Sequence, residues 1–254
     1  MLPASDLWFA RTSVANSAEK LLFCFPHGGG GTSAYRGWQS VLGSEVGVVP
    51  ASLPGRESRS KEELTRSITG LSGDLVDPLL EFADRREVFL FGHSMGALIA
   101  YELAAALADK GRPPSGLIVS GAVAPHRPDL VGQIHQLPDD QFLAHVSALE
   151  GTPMGVLEES GLLDVLLPVL RADFHACETY VRRERPPLRI PMLAIGGEDD
   201  PRAPLDELAR WGDLTDGEFD MKVLPGGHFY LSQDLKRFLA ELRPFILGGG
   251  SKRG

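Results

Sequence analysis

The sequence predicts an α/β fold: a mainly parallel central sheet with helices on both faces and a helical insertion over one sheet edge. Three observations predict it. Short apolar runs alternate with helix-like stretches along the chain, the order of a parallel sheet whose crossovers are helices. The runs are nearly continuously apolar rather than alternating, as strands buried on both faces require. One connection, from Ala122 to Ile190, exceeds sixty residues, where an ordinary connection takes about 2–6.

In chain order, the strand candidates are Leu21–Pro26, Val46–Ala51, Val88–Gly92, Leu117–Ala122, Ile190–Gly196 and Phe219–Leu224, most of them bounded by Gly or Pro. The helix candidates between them are Ala34–Leu42, Ile68–Arg86, Ala97–Lys110, Leu205–Leu214 and Leu235–Ile246. The long connection carries two helical patterns of its own, Asp139–Leu149 and Leu163–Arg183, separated by Gly151–Pro153. It reads as a lid over the carboxyl edge of the sheet, where ligand sites of such sheets lie; two ordinary sheet-packing helices are the plain alternative. The expected organisation is therefore a core in two parts, 1–122 and 189–247, a lid at 123–188 and a glycine-rich flexible tail at 248–254.

Composition narrows the function. The 254 residues suit one α/β enzyme domain, and 43% of them are hydrophobic, near the globular norm. A formal charge of −9 argues against nucleic acid, whose phosphates demand a basic face. No run of about 18 apolar residues and no basic-then-apolar leader is present, so the expectation is a cytoplasmic protein with no membrane span. Cys24 and Cys177 are too few for a disulfide framework and are expected to be reduced. The histidines do not cluster at ligand spacing and the cysteines have no C-x-x-C partner, so neither metal nor cofactor is expected. Nothing in the sequence calls for more than a monomer.

The chemical signal is Gly92-His93-Ser94-Met95-Gly96, which sits between a buried strand and a good helix. This is the G-x-S-x-G pattern, in which a sharp strand-to-helix turn lifts a serine hydroxyl clear of a sheet. A serine hydroxyl needs a base, and the base an orienting acid. The acid is expected after a late strand, where Gly196-Gly197-Glu198-Asp199-Asp200-Pro201 offers three carboxylates. Asp200 is preferred, with Asp199 next and Glu198 third. The histidine is expected after the last strand, in Pro225-Gly226-Gly227-His228-Phe229; of seven histidines only His228 has that placement. His126, His135, His145 and His175 fall in the lid and read as surface or packing residues, and His93 as a packing neighbour of the serine. An oxyanion needs two backbone N–H donors. Met95 supplies one, and the loop His27-Gly28-Gly29-Gly30-Gly31 the other, with Gly28 preferred over His27.

Several blocks together carry a resemblance: FPHGGG, LPGR at Leu53–Arg56, GHSMGA, LPDDQFLAHVSALEGTP, LLPVLRADFHACETY, GGEDDP and PGGHFYL. Over roughly Leu21 to Phe245 the chain resembles the external type II thioesterases of polyketide and nonribosomal peptide synthetase systems, within the α/β-hydrolase superfamily. The resemblance implies a serine thioesterase that removes stalled, decarboxylated or misprimed acyl groups from the phosphopantetheine arms of acyl or peptidyl carrier proteins. It places the nucleophile at Ser94, the acid at Asp200 and the base at His228. One departure is Gly28, where the family pattern has alanine. Rival readings share the triad: a carboxylesterase or lipase of small free esters, a non-catalytic hydrolase-fold binding module, or a cyclising thioesterase cut from a synthase. The basic stretch Arg182-Arg183-Glu184-Arg185 reads either as a contact for an acidic carrier protein or as solvated surface.

Overall fold

The computed structural model describes residues 3–126, 133–148 and 160–248. Its centre is a six-stranded sheet of β1 (Lys20–Phe25), β2 (Val46–Pro50), β3 (Glu87–His93), β4 (Gly116–Ser120), β5 (Met192–Gly197) and β6 (Phe219–Leu224). The strands lie in the order β2-β1-β3-β4-β5-β6 and every neighbouring pair is parallel.

Residues of one strand part to opposite faces of the sheet. Leu21, Phe23 and Phe25 of β1 enter one core with Leu90, Val119 and Ala194. Leu22 and Cys24 enter the other with Phe89, Phe91, Ile118 and Leu193. Both faces are therefore apolar, which is why the runs read as continuous rather than alternating.

The helices are α1 (Ala4–Trp8), α2 (Ser13–Ser17), α3 (Trp38–Leu42), α4 (Ile68–Ala83), α5 (Met95–Asp109), α6 (Asp139–Ser147), α7 (Ser160–Glu178), α8 (Leu205–Ala209), α9 (Tyr230–Gln233) and α10 (Leu235–Gly248). The α4 and α5 helices close the first face through Leu71, Leu75, Leu79, Ile99 and Leu103. The α3 and α10 helices close the second through Trp38, Phe238, Leu242 and Ile246. Ser67 caps α4 by accepting the Gly70 amide at 3.1 Å, an end signal worth about 1 kcal/mol.

Several expected helices begin or end differently: Ile68–Arg86 ends at Ala83, and Leu205–Leu214 gives way to a 3-10 turn at Arg210. The stretch from Ala34 divides into a 3-10 turn, Thr32–Tyr35, and α3, because Gly37 at φ 86° breaks it. The stretch to Arg183 stops at Glu178. The N-terminal α1 and α2 were not legible as helices at all.

Between β4 and β5, α6 and α7 pack on each other through Phe142, Val146, Leu170 and Phe174, a small core separate from those of the sheet. Arg171 fastens this unit by donating to the carbonyls of His135 at 2.6 Å and Leu137 at 2.8 Å. The expected break at Gly151–Pro153 lies outside the described residues. So does the expected tail, except Gly248, which ends α10. Among the described residues no helix is long and apolar enough to cross a membrane.

Candidate active site

Ser94 occupies the turn between β3 and α5 at φ 54°, ψ −117°, a conformation that costs a non-glycine residue about 1–3 kcal/mol. The glycines of the motif are what make so tight a turn possible. A Cβ at Gly92 would stand 1.9 Å from the Gly96 carbonyl oxygen, and one at Gly96 would stand 1.9 Å from the Phe25 carbonyl oxygen. The strained serine is held by its own amide, which donates to the Ser120 carbonyl on β4 at 2.8 Å.

The acid and the histidine meet because β5 and β6 are register neighbours, Gly197 opposite Leu224. Past the strand ends, the loops stay tied: the Glu198 amide donates to the Leu224 carbonyl at 2.8 Å, and the Asp199 amide to that of Gly226 at 3.0 Å. Asp200, 4% exposed, then places Oδ2 2.9 Å from His228 Nδ1, and His228 is 3% exposed. The other carboxylate oxygen accepts the Arg202 amide at 2.9 Å. Asp199 and Glu198 are exposed. Of the three adjacent carboxylates, geometry brings Asp200 alone to the histidine.

Two more imidazoles surround this pair, both held neutral. Burial, reinforced by His228, pushes the His93 pKa well below 6.5. His93 Nδ1 lies 2.9 Å from Ser120 Oγ, itself 2.6 Å from the Tyr230 hydroxyl, which donates to the Ile195 carbonyl at 3.0 Å. His93 is thus a packed, hydrogen-bonded support behind His228, their ring centres 4.9 Å apart. His27 is lowered to about 4, by burial first and then by His228 and Arg56. Its ring stands edge-on to Phe229 at 4.9 Å. Elsewhere, His135 pairs with Glu178, His126 lies 3.4 Å from Asp213, and His145 Nδ1 is 2.8 Å from the Gln141 carbonyl.

Met95 is the first residue of α5, so its amide has no partner within the helix. Gly28 faces it across a cavity also bordered by His27, Ser94, Phe174 and His228. A Cβ at Gly28 would meet Asp173 Cβ at 3.5 Å and Phe174 at 3.8 Å. These are ordinary contacts, so the glycine that departs from the family pattern leaves room for the missing methyl. The cavity, about 50 Å³, adjoins a second of about 190 Å³ bordered by Leu98, Ala122, Ala124, Pro125, Tyr180 and Pro204. Ser94, Met95, Cys177, Arg202 and His228 border both. The serine therefore sits where two chambers join, as an acyl-transfer centre with substrate on either side of the reacting carbon would need.

Three further residues at the site carry no chemical signal in the sequence. Arg202 lies at the junction of the chambers with its guanidinium 5.7 Å from the centre of the Phe174 ring. Arg56 and Asp173 form a buried ion pair beneath the glycine loop; they stood inside the LPGR and LRADF blocks with no chemistry assigned to them. Two arginines of the basic stretch have partners within the chain. Arg182 donates to the Tyr101 hydroxyl at 2.8 Å, and Arg185 pairs with buried Glu102 at 2.9 Å. These two cations fasten the chain after α7 to α5, and of the three arginines Arg183 alone is exposed, the other two being half-buried. Among the described residues no group of three His, Cys, Asp or Glu side chains could hold a metal.

The chain is similar over most of its length to known proteins. Linear gramicidin dehydrogenase LgrE of Brevibacillus parabrevis is 39% identical over 249 residues, covering 95% of this chain and 94% of that one. Thioesterase PikA5 of Streptomyces venezuelae is 36% identical over 245 residues, covering 96% and 86%. The solved structure of the RedJ thioesterase from the prodiginine pathway of Streptomyces coelicolor is 40% identical and superposes with a TM-score of 0.84 over 90% of this chain and 86% of that one. The name of the first relative speaks of hydride transfer, whereas the serine, histidine and carboxylate arranged here are the parts of acyl transfer. The thioesterase domain model matches residues 20–246, and the chain accordingly belongs to the thioesterase family, as a thioester hydrolase of α/β-hydrolase fold.

Proposed function

We propose that the chain is an editing, type II thioesterase that releases aberrant acyl groups from the phosphopantetheine arms of acyl or peptidyl carrier proteins. The observation that carries this reading is Ser94 held at positive φ in one cavity with an imidazole already paired to a buried carboxylate. The relatives named for gramicidin, PikA5 and prodiginine biosynthesis support the carrier-bound class of substrate.

In this reading Asp200 engages His228 Nδ1 and leaves Nε2 to take the proton of Ser94 Oγ. Oγ attacks the thioester carbonyl, and the Met95 and Gly28 amides stabilise the oxyanion. The C–S bond breaks, the pantetheine thiol takes the proton, and an acyl-Ser94 ester remains. A thiol of ordinary pKa about 8.5 leaves readily, so the histidine is asked for less help than in a peptidase. Water, deprotonated by His228, then releases the acid and restores Ser94. The neutral state imposed on His27 and His93 keeps His228 the one imidazole at the site that cycles its proton.

Of the lid at 123–188, the α6 and α7 helices roof the acyl chamber, with Val146, Leu170 and Phe174 facing the serine's cavity. The protein acts as a cytoplasmic monomer, a setting that suits the free thiols of Cys24 and Cys177. Matched thioester and oxygen-ester substrates, with fluorophosphonate labelling of Ser94, test the assignment. Stoichiometric labelling at Ser94 and faster thioester cleavage are expected. A protein that hydrolyses thioesters while Ser94 stays unlabelled would refute it.

A further inference from the structure

We propose that Asp173 is a positioning residue for the oxyanion donor, locking the glycine loop through the lid. The proposal rests on the reading of Gly28 as that donor.

The loop His27–Gly31 has four consecutive glycines and so no side chains between Gly28 and Thr32 with which to fix itself. Its internal restraint is one turn, the Gly30 amide donating to the His27 carbonyl at 2.9 Å. A backbone donor that stabilises a transition state must be held to within about half an ångström. Two residues from distant parts of the chain supply the hold. Asp173 of α7, with its side chain fully buried, accepts the Gly29 amide at 2.7 Å on Oδ2. The same carboxylate takes both arms of the Arg56 guanidinium, Nη1 at 2.6 Å and Nη2 at 2.8 Å. Arg56 Nη1 also donates to the Gly30 carbonyl at 3.1 Å.

The peptide unit that joins Gly28 to Gly29 is therefore pinned on its N–H side by Asp173, and the Gly30 carbonyl by Arg56. Gly29, at φ 78°, lies under Leu170 of the same helix: a Cβ there would stand 2.6 Å from Leu170 Cδ2. Asp173 borders the serine's cavity, but its carboxylate is engaged by the Gly29 amide and the Arg56 guanidinium, so it acts through the loop. The consequence is that the oxyanion donor is held in register through α7. Three blocks that the sequence scatters, HGGGG, LPGR and LRADF, form one device.

The test compares Asp173→Leu with the double variant Asp173→Leu/Arg56→Met, folding being checked by thermal unfolding. Asp173→Leu removes the Gly29 acceptor and leaves the Arg56 guanidinium buried without its counter-charge, whereas replacing both members of a buried ion pair with apolar groups of similar volume is often neutral for stability. A merely structural role would be rescued in the double variant; a positioning role would not, since Gly29 still lacks its acceptor. With a soluble acyl-pantetheine thioester as substrate, kcat should fall about 10- to 100-fold in both variants with KM within about threefold. These values lie at and below the loss seen when an oxyanion donor is removed outright. Affinity for an alkyl boronic acid that adds to Ser94 should fall by the same factor. Recovery of kcat in the double variant, a loss confined to KM, or collapse of the fold in both variants would overturn the proposal. Ser94→Ala run alongside separates the two claims. Turnover that survives it removes the site reading itself, whereas Ser94-dependent turnover unaffected by the Asp173 variants removes only the clamp.

Discussion

Adjacent glycines of the oxyanion loop should respond in opposite ways to the same methyl group. At Gly28 a Cβ meets nothing nearer than 3.5 Å, and its φ lies outside the left-handed region. Alanine there costs no native strain and restricts the unfolded chain, which stabilises by about 0.4–1 kcal/mol. At Gly29, φ is 78° and the Cβ would meet Leu170 at 2.6 Å. The left-handed conformation costs alanine about 1–2 kcal/mol, and forcing a methyl into packed space about 1–3 kcal/mol more. For a chain of this size each kcal/mol moves Tm by about 2–4 °C. Gly28→Ala is thus expected to raise Tm by about 1–4 °C with thioesterase kcat preserved. Gly29→Ala is expected to lower Tm by at least about 4 °C and to lose kcat, because the clamped peptide must move. Differential scanning calorimetry with turnover on a pantetheine thioester reads both. A destabilised Gly28→Ala, or a Gly29→Ala as stable and active as the parent, would refute the loop geometry on which the oxyanion assignment stands.

Other outcomes follow from the same site. Asp200→Asn should lower kcat by about 10⁴-fold, the loss typical of a misoriented imidazole, with the Tm and a native-like spectrum retained; a loss of less than tenfold would contradict its role. His27 is protonated in the unfolded chain near pH 6.5 but in the folded one only near pH 4. The unfolded state therefore binds the extra proton between those values, and stability should fall as pH drops through that window, by on the order of 2 kcal/mol once the partial exposure of the ring is allowed for. His27→Gln should flatten the slope of urea-unfolding free energy against pH across pH 6.5–4; an unchanged slope would be inconsistent with a neutral His27. Arg185→Ala leaves Glu102, 6% exposed, without its cation and should cost about 3 kcal/mol or more. The ratio of carrier-linked to free-pantetheine hydrolysis should not change in the protein that remains folded. A changed ratio at unaltered stability would restore the carrier-docking reading of that stretch.

Most of the sheet was legible because its strands are buried on both faces, which writes itself as LLFCF, VFLFG and LIVSG. The elbow was legible because backbone crowding leaves only glycine at positions 92 and 96. Chain order was enough to find His228, since no other histidine follows the last strand. The choice among Glu198, Asp199 and Asp200 was not settled by the sequence; it depends on which carboxylate turns inward past a β5–β6 register that no local pattern records. The helices α1 and α2 were missed because five residues hold too few turns to show a period. Asp173, Arg56 and Arg202 escaped for a different reason. The partners of Asp173 lie 117 and 144 residues away in the chain and that of Arg202 on another element, α7, and a buried aspartate in a helix looks in sequence like any exposed one. The partners of Arg182 and Arg185 on α5 were not legible either, because a free basic run and two anchored arginines are written with the same letters.

The central claim is a Ser94-dependent hydrolysis directed at carrier-bound thioesters. The most direct measurement loads an acyl carrier protein with acetyl or propionyl groups and follows release of its free thiol, with Ser94→Ala as the control. Release is expected well above the rate on the same acyl group in a simple oxygen ester, and none with Ser94→Ala. No release from the carrier, alongside brisk Ser94-dependent cleavage of the oxygen ester, would contradict it.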